Sequence, residues 1–127
     1  MALNICIIDD DLVSQFATQY KLGQSDVSCS ISTYDNAKDF LSILSNQPDS
    51  MPDIILLDLV MPEMDGWEFL EEFEKKFKNV NNLKIYAISA FGNSKDRERI
   101  KNHALVCGYF DKPLSKVNVD IIFNSFI

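Results

Sequence analysis

Three features of the sequence predict a doubly wound parallel α/β fold. Short apolar runs recur along the chain, the most apolar of them without any polar alternation, as a strand buried on both faces of a parallel sheet requires. Between the runs lie stretches in which apolar residues return at helical spacing. Four of the runs stop abruptly on polar or charged residues: Asp9 and Asp10, Asp58, Ser89, and Lys112. Parallel strands joined by right-handed crossovers all point one way, so these residues fall on one edge of the sheet. That is the edge where open α/β sheets carry their ligand sites.

The first run, NICII at 4–8, ends in Asp9, Asp10 and Asp11. Val13, Phe16, Ala17 and Tyr20 follow at helical spacing, with Asp11 as the N-cap and Gly23 closing the helix. VSCSISTY at 27–34 alternates apolar residues with Ser and Thr, the pattern of a strand near a sheet edge. Asp35 can cap the next helix, whose apolar stripe is Ala37, Phe40, Leu41 and Leu44, and the proline-bearing segment 47–52 is a surface loop.

IILL at 54–57 is the central strand, and Asp58 ends it. Pro62 and Asp65-Gly66 then break the chain into a loop. The helix beyond carries Trp67, Phe69, Leu70, Phe73 and Phe77 on one face and Glu71, Glu72, Lys75, Lys76 and Lys78 on the other, a solvated surface. Asp65 and Glu68 have the spacing of a capping box. KIYAI at 84–88 runs into Ser89, and the polar segment 94–102 has Ile100 as its main apolar anchor, which makes it the least firmly packed helix. VCGYF at 106–110 leads into Asp111, Lys112 and Pro113, and Val119, Ile122, Phe123 and Phe126 supply the last helix.

At 127 residues the chain fits one domain, and 46% hydrophobic with 24% charged content is that of a soluble globular protein. A net charge of -7 excludes nonspecific binding to a nucleic acid backbone, which needs clustered Lys and Arg. Cys6, Cys29 and Cys107 form no CxxC pair, so they read as small core or near-core residues rather than zinc ligands or disulfides. There is no membrane-length apolar run and no export signal, so a cytoplasmic location is expected.

Carboxylates gathered on neighbouring strand ends repel one another unless protons or a cation intervene. Mg²⁺ suits such a site: it takes oxygen ligands and uses one or two carboxylates together with waters and phosphate oxygens. A screened Asp58 can then act as a nucleophile toward phosphorus, with Lys112 and the Ser89 hydroxyl neutralising phosphoryl oxygens. Phosphorylation of an aspartate needs these groups and little else.

In order and on the matching strands, Asp9-Asp10, LLD at 56–58, MPEMDG at 61–66, Ser89-Ala90 and GYFDKP at 108–113 make the chain resemble the receiver domain of two-component response regulators. The resemblance covers essentially the whole chain. It implies a flavodoxin-like (βα)5 sheet in strand order 2-1-3-4-5, and a single receiver domain over 1–127 with no output domain. Asp58 would be the phosphoacceptor, taking its phosphoryl group from a sensor histidine kinase, a histidine phosphotransfer protein or a small phosphodonor. Asp10 would bind Mg²⁺ directly, Asp9 chiefly through water, and the Val60 carbonyl would complete the protein ligands, with Mn²⁺ able to substitute. Ser89 and Lys112 would hold the phosphoryl oxygens, and the Lys112-Pro113 bond would be cis. On phosphorylation Ser89 would move toward the phosphoryl group and Tyr109 would swing from exposed to inward. Such a module catalyses only its own phosphorylation and dephosphorylation, and it signals by contact with a downstream protein, without nucleic acid or membrane.

Val60 and Phe91, two positions after the phosphoacceptor and the serine, are apolar, so restricted water access and slow self-hydrolysis are expected. His103 reads as a surface residue and Trp67 as packing at the core edge. Competing readings are a receiver-like scaffold that is not phosphorylated, a small phosphatase of the haloacid-dehalogenase type, and a flavodoxin-like cofactor binder. The phosphatase needs a second carboxylate where Val60 stands, and the cofactor binder has no phosphate-cradling glycine loop in this chain.

Overall fold

Ile54–Asp58 (β3) is the middle strand of the sheet, and all of its residues are buried. It pairs in parallel with Leu3–Ile8 (β1) on one side and Lys84–Ser89 (β4) on the other. Cys29–Tyr34 (β2) and Val106–Asp111 (β5) form the two edges, giving the order β2-β1-β3-β4-β5. This is the doubly wound parallel sheet that the sequence pattern predicts, in the flavodoxin-like order that the resemblance implies. The computed structural model describes residues 3–77, 82–90 and 93–125, so Lys78, Phe91 and Phe126 lie outside the described residues.

Successive strand residues face opposite ways, so the sheet presents two apolar faces. On one, Ile5, Ile7, Ile54, Leu56 and Ile88 pack against Leu22 of Leu12–Gly23 (α1) and against Val119, Ile122 and Phe123 of Lys116–Asn124 (α5). On the other, Cys6, Ile8, Ile55, Leu57 and Ile85 meet Ala37–Asn46 (α2) and Gly66–Lys76 (α3) through Phe40, Leu41, Leu44, Phe69 and Phe73. The Asp65–Glu68 capping box forms as the spacing predicts. Ser94–Lys101 (α4) joins this second layer through Ile100, its one buried residue, which packs on Leu59 and Ala87. Two arginines add to that hold: Arg99 lies 3.9 Å from the Trp67 ring centroid and Arg97 5.5 Å from that of Tyr109. No described helix is long and apolar enough to cross a membrane.

The structure corrects three local expectations. The α1 stripe faces out rather than in: Val13, Phe16 and Tyr20 are 79%, 71% and 64% exposed, and Ala17 is exposed with them. The inward face is Gln15, Thr18 and Leu22. Asn36, not Asp35, caps α2, accepting the Asp39 N–H. Cys107 is exposed: it stands on edge strand β5 where the pairing with β4 slips, Val106 and Gly108 taking the successive β4 partners Ile85 and Tyr86; Cys6 is buried and Cys29 half-buried. Gly23 is the last residue of α1, as the sequence places it, and Gln24 is the C-cap.

These positions predict opposite responses to truncation. Phe73→Ala, in the core, should cost about 3–5 kcal/mol, whereas Phe16→Ala should stay within about 0.5 kcal/mol of the parent. Urea unfolding of the two variants checks both, and equal losses would place Phe16 in the core.

Candidate functional site

β1 delivers Asp9 to the edge of the sheet, where its backbone N–H donates to the Tyr34 carbonyl at 3.0 Å. Its side chain is fully buried. One carboxylate oxygen, Oδ1, accepts the Asp11 N–H at 3.0 Å; the other, Oδ2, accepts the Ser14 hydroxyl at 2.6 Å and Lys112 Nζ at 2.7 Å. Gln15 Nε2 donates to the Asp9 carbonyl at 2.6 Å and to the Tyr34 carbonyl at 3.3 Å. The first turn of α1, capped by Asp11, is therefore tied to the strand ends by polar contacts.

Asp58 closes β3 and is 5% exposed. Its Oδ1 accepts the Val60 N–H at 3.1 Å and its Oδ2 accepts Lys112 Nζ at 3.0 Å. Behind it the loop doubles back tightly enough to exclude a side chain at Gly66. A Cβ there would lie 2.8 Å from the Asp58 carbonyl oxygen and 2.8 Å from Leu59 Cα. Gly66 N–H donates to the Leu59 carbonyl at 3.1 Å, which fixes where α3 leaves the site. Lys112 follows β5, with its N–H on the Ser89 carbonyl at 3.0 Å and a cis bond to Pro113. Ser89, at the end of β4, is 1% exposed and borders the same cleft of about 200 Å³ as Asp10, Asp58, Val60 and Lys112.

One ammonium thus serves two buried carboxylates, with Asp10 exposed beside them. Burial pushes the Asp58 carboxyl up to about 6; the Lys112 hydrogen bond and charge and the Val60 N–H pull it back, and Asp9 adds to the rise. Burial also works against the Lys112 ammonium, but the bonds to Asp9 and Asp58 outweigh it and leave its pKa raised. Oxygens of Asp9, Asp10 and Asp58 lie within 4.8 Å of one another. An all-oxygen, net negative set of this span fits a hard divalent cation.

The structure therefore brings Asp9, Asp10, Asp58, Val60, Ser89 and Lys112 to one cleft. Val60 is 58% exposed at its mouth, while Phe91, the second position expected to restrict water, lies outside the described residues. Tyr109 sits one layer away and differs from the expectation of an exposed ring. Its hydroxyl is shielded from solvent, and its ring packs against the apolar niche of Leu59, Ala87 and Ile100. Burial and then the Asp111 carboxylate push the phenol up, while Ser89 and Arg97 hold that rise back although no aligned hydrogen bond reaches the hydroxyl among the described residues. Arg97 also grips Asp111 at 3.0 and 2.9 Å. His103 is half-buried, its Nδ1 accepting the Leu105 N–H at 3.3 Å, so it is a turn residue rather than a free surface group. Trp67 is core-edge packing, as read. Ser14, Gln15 and Arg97 were not legible in the pattern, because a polar helix residue carries no periodic signal for the partner it finds.

Residues 5–122 match the family model described as "Response regulator receiver domain". The chain belongs to this family. The receiver is 32% identical over 104 residues to hybrid signal transduction histidine kinase D of Dictyostelium discoideum, a match that covers 77% of the chain and 6% of that protein. Among solved structures it is similar to a two component response regulator from Cytophaga hutchinsonii, with a TM-score of 0.91, 21% identity and coverage of 98% of this chain and 97% of that one. It is also similar to the Mn(2+)-bound form of response regulator Rcp1, with a TM-score of 0.76, 21% identity, and coverage of 98% and 93%. The chain is a receiver domain of two-component signalling.

The raised Asp58 pKa has a stability consequence with a definite sign. A carboxyl whose folded pKa lies near 6, above its value of 3.8, destabilises the fold once it is ionised, so the cost is complete above pH 6 and absent below about pH 4. Asp58→Asn should therefore be more stable than the parent by on the order of 1 kcal/mol at pH 7.5, the shift being discounted for solvent reaching the cleft. Urea midpoints in EDTA at pH 7.5 and pH 4 check this; a variant less stable than the parent at pH 7.5 would contradict it.

Proposed function

We propose that this receiver accepts a phosphoryl group on Asp58 and signals through protein contact. The observation that carries the reading is a desolvated Asp58 carboxylate that shares Lys112 with Asp9 in a cleft open to solvent. An Asp58 carboxylate oxygen attacks the phosphorus of a phosphohistidine, a P–O bond forms as the P–N bond breaks, and the leaving imidazole takes up a proton. Lys112 then turns from Asp58 to a phosphoryl oxygen, and the Ser89 hydroxyl donates to another. Asp9, Asp10, Asp58 and the Val60 carbonyl are the groups that would hold Mg²⁺, or Mn²⁺ in its place. The ion supplies positive charge against the oxygens of the transferring group. The residues themselves hold the nucleophile, orient it and neutralise charge, which is most of what phosphoryl transfer asks of a protein.

A protein donor must cover this cleft, and the surface beside it suits one. Leu12, Val13 and Phe16 of α1, Val60 beyond β3, and Val117 of α5 are all exposed, and large apolar side chains left in water beside the exposed Asp10 and Asp11 give a partner anchors to bury. We assign this face to the phosphohistidine-bearing partner, a sensor histidine kinase or a histidine phosphotransfer protein.

Intact-mass spectrometry after incubation with Mg²⁺ and acetyl phosphate tests the chemistry. One phosphoryl addition is expected in the parent and none in Asp58→Asn or in EDTA; an addition that persists in Asp58→Asn would move the acceptor elsewhere. For the docking face, Phe16→Asp should leave phosphorylation by acetyl phosphate intact and slow transfer from an autophosphorylated histidine kinase about tenfold or more, as loss of an apolar anchor does. Unchanged transfer from the kinase would remove α1 from the interface.

A further inference from the structure

Ser14 is absorbed neither by helix packing nor by the phosphoryl chemistry above, yet it makes the shortest of the contacts on the Asp9 carboxylate. We propose that Ser14 is a positioning residue for this site: its hydroxyl fixes the Asp9 carboxylate in the orientation that shares Lys112 with Asp58 and faces the cation seat. The inference rests on the reading of Asp58 as phosphoacceptor.

Counting acceptor positions shows what the hydroxyl does. A carboxylate offers four lone-pair sites, two on each oxygen. On Asp9, Oδ2 meets both Ser14 Oγ at 2.6 Å and Lys112 Nζ at 2.7 Å, and Oδ1 meets the Asp11 N–H at 3.0 Å. Three of the four sites are thus occupied by this chain, and one is left for a cation or its water. The main chain of Asp9 is held just as firmly, by Gln15 Nε2 on its carbonyl at 2.6 Å. Consecutive residues of α1 therefore fix the side chain and the backbone of one buried acid.

The charge arrangement makes that orientation matter. Without Ser14, Oδ2 would face Lys112 alone, and a fully buried Asp9, held otherwise only by the Asp11 N–H on Oδ1, would turn more readily about its side-chain bonds toward the ammonium. Lys112 would then be drawn toward Asp9 and away from Asp58, and the Asp9 oxygen aimed at the cation seat would lose its fixed place. Hydrogen bonds to metal-holding carboxylates orient them in this way, and their loss weakens metal binding.

The test compares Ser14→Ala and Ser14→Thr with the parent by calorimetric titration of Mg²⁺ and by the rate of phosphorylation with acetyl phosphate at saturating Mg²⁺. Ser14→Ala should bind Mg²⁺ about threefold to tenfold more weakly, the lower end of what such second-layer contacts carry, and should be phosphorylated more slowly by a similar factor. Ser14→Thr, which keeps the hydroxyl, should return the affinity to within twofold of the parent. A merely structural serine would change the melting temperature and leave the affinity alone. Weakened binding in Ala with parental binding in Thr supports the assignment, and any other pattern of affinities overturns it. If the parent binds Mg²⁺ but no donor phosphorylates it, the phosphoacceptor reading fails, while the affinity comparison still decides the role of Ser14.

Discussion

The constraint on which the rest of this receiver depends is that one ammonium, Lys112, must serve carboxylates delivered by two other strands. β5 does not touch β3 or β1; β4 lies between, and Lys112 reaches across the end of β4 to Asp58 and then to Asp9. That reach is possible only in this strand order and register, with the Lys112 N–H on the Ser89 carbonyl and Gly66 leaving room behind Asp58. Burying these charges is not how a fold gains stability, since desolvation offsets much of the attraction within an ion pair. The raised pKa of Asp58 shows which side wins there: burial, with repulsion from Asp9 added, exceeds the help from Lys112 and the Val60 N–H. The stability comes instead from the two apolar layers, and the site is a local conflict which those layers can carry.

The same polar demands reach into the helices. α2 and α3 sit as their apolar stripes direct, because nothing but apolar sheet lies beneath them. α1 begins at the acid cluster, and its rotation is set by Ser14 and Gln15 on Asp9 and Tyr34 and by the Asp11 cap. Once Gln15 faces the sheet, Thr18 and Leu22 follow on the same side and Phe16 and Tyr20 must face water. Leu22 then anchors the far end of the helix, being fully buried against the sheet.

Legibility in the sequence follows this division. β3, the stripes of α2 and α3, and the residues at the strand ends were readable, because the unbroken IILL run and the i, i+3, i+4 pattern are driven by burial alone. Asp9, Asp58, Ser89 and Lys112 could be gathered in advance because parallel topology fixes which strand ends meet. What escaped was set by tertiary polar contacts. A Gln that bonds two carbonyls looks like a solvent residue in a pattern, and Phe16 and Tyr20 look like core. Asn36 and Asp35 are adjacent and equally able to cap, and only the chain path into α2 chooses Asn36. Cys107 has apolar neighbours in sequence but falls at a slip in the pairing of an edge strand, which no local pattern announces.

Tyr109 and α4 lie between the acid cleft and the neighbouring surface. Ile100 is the one buried residue of α4, and the remaining ties are Arg99 on Trp67, Arg97 on Tyr109, and the Arg97–Asp111 pair with both partners more than half exposed. Exposed ion pairs are worth about 0–1 kcal/mol and exposed cation–π contacts about 0.5–1 kcal/mol, so these ties lie close to thermal energy. Leu59, on which the Tyr109 ring and Ile100 both pack, is the residue next to Asp58, and Ser89 borders both the acid cleft and the Tyr109 hydroxyl. A negative group placed on Asp58 would thus act on Ser89 and Lys112 directly and on α4 through a layer held by weak contacts. The tyrosine already lies inward, beside Arg97 and in the Leu59–Ala87–Ile100 niche, so a phosphoryl group on Asp58 would have the hold on Ser89 and α4 left to change more than the position of the ring.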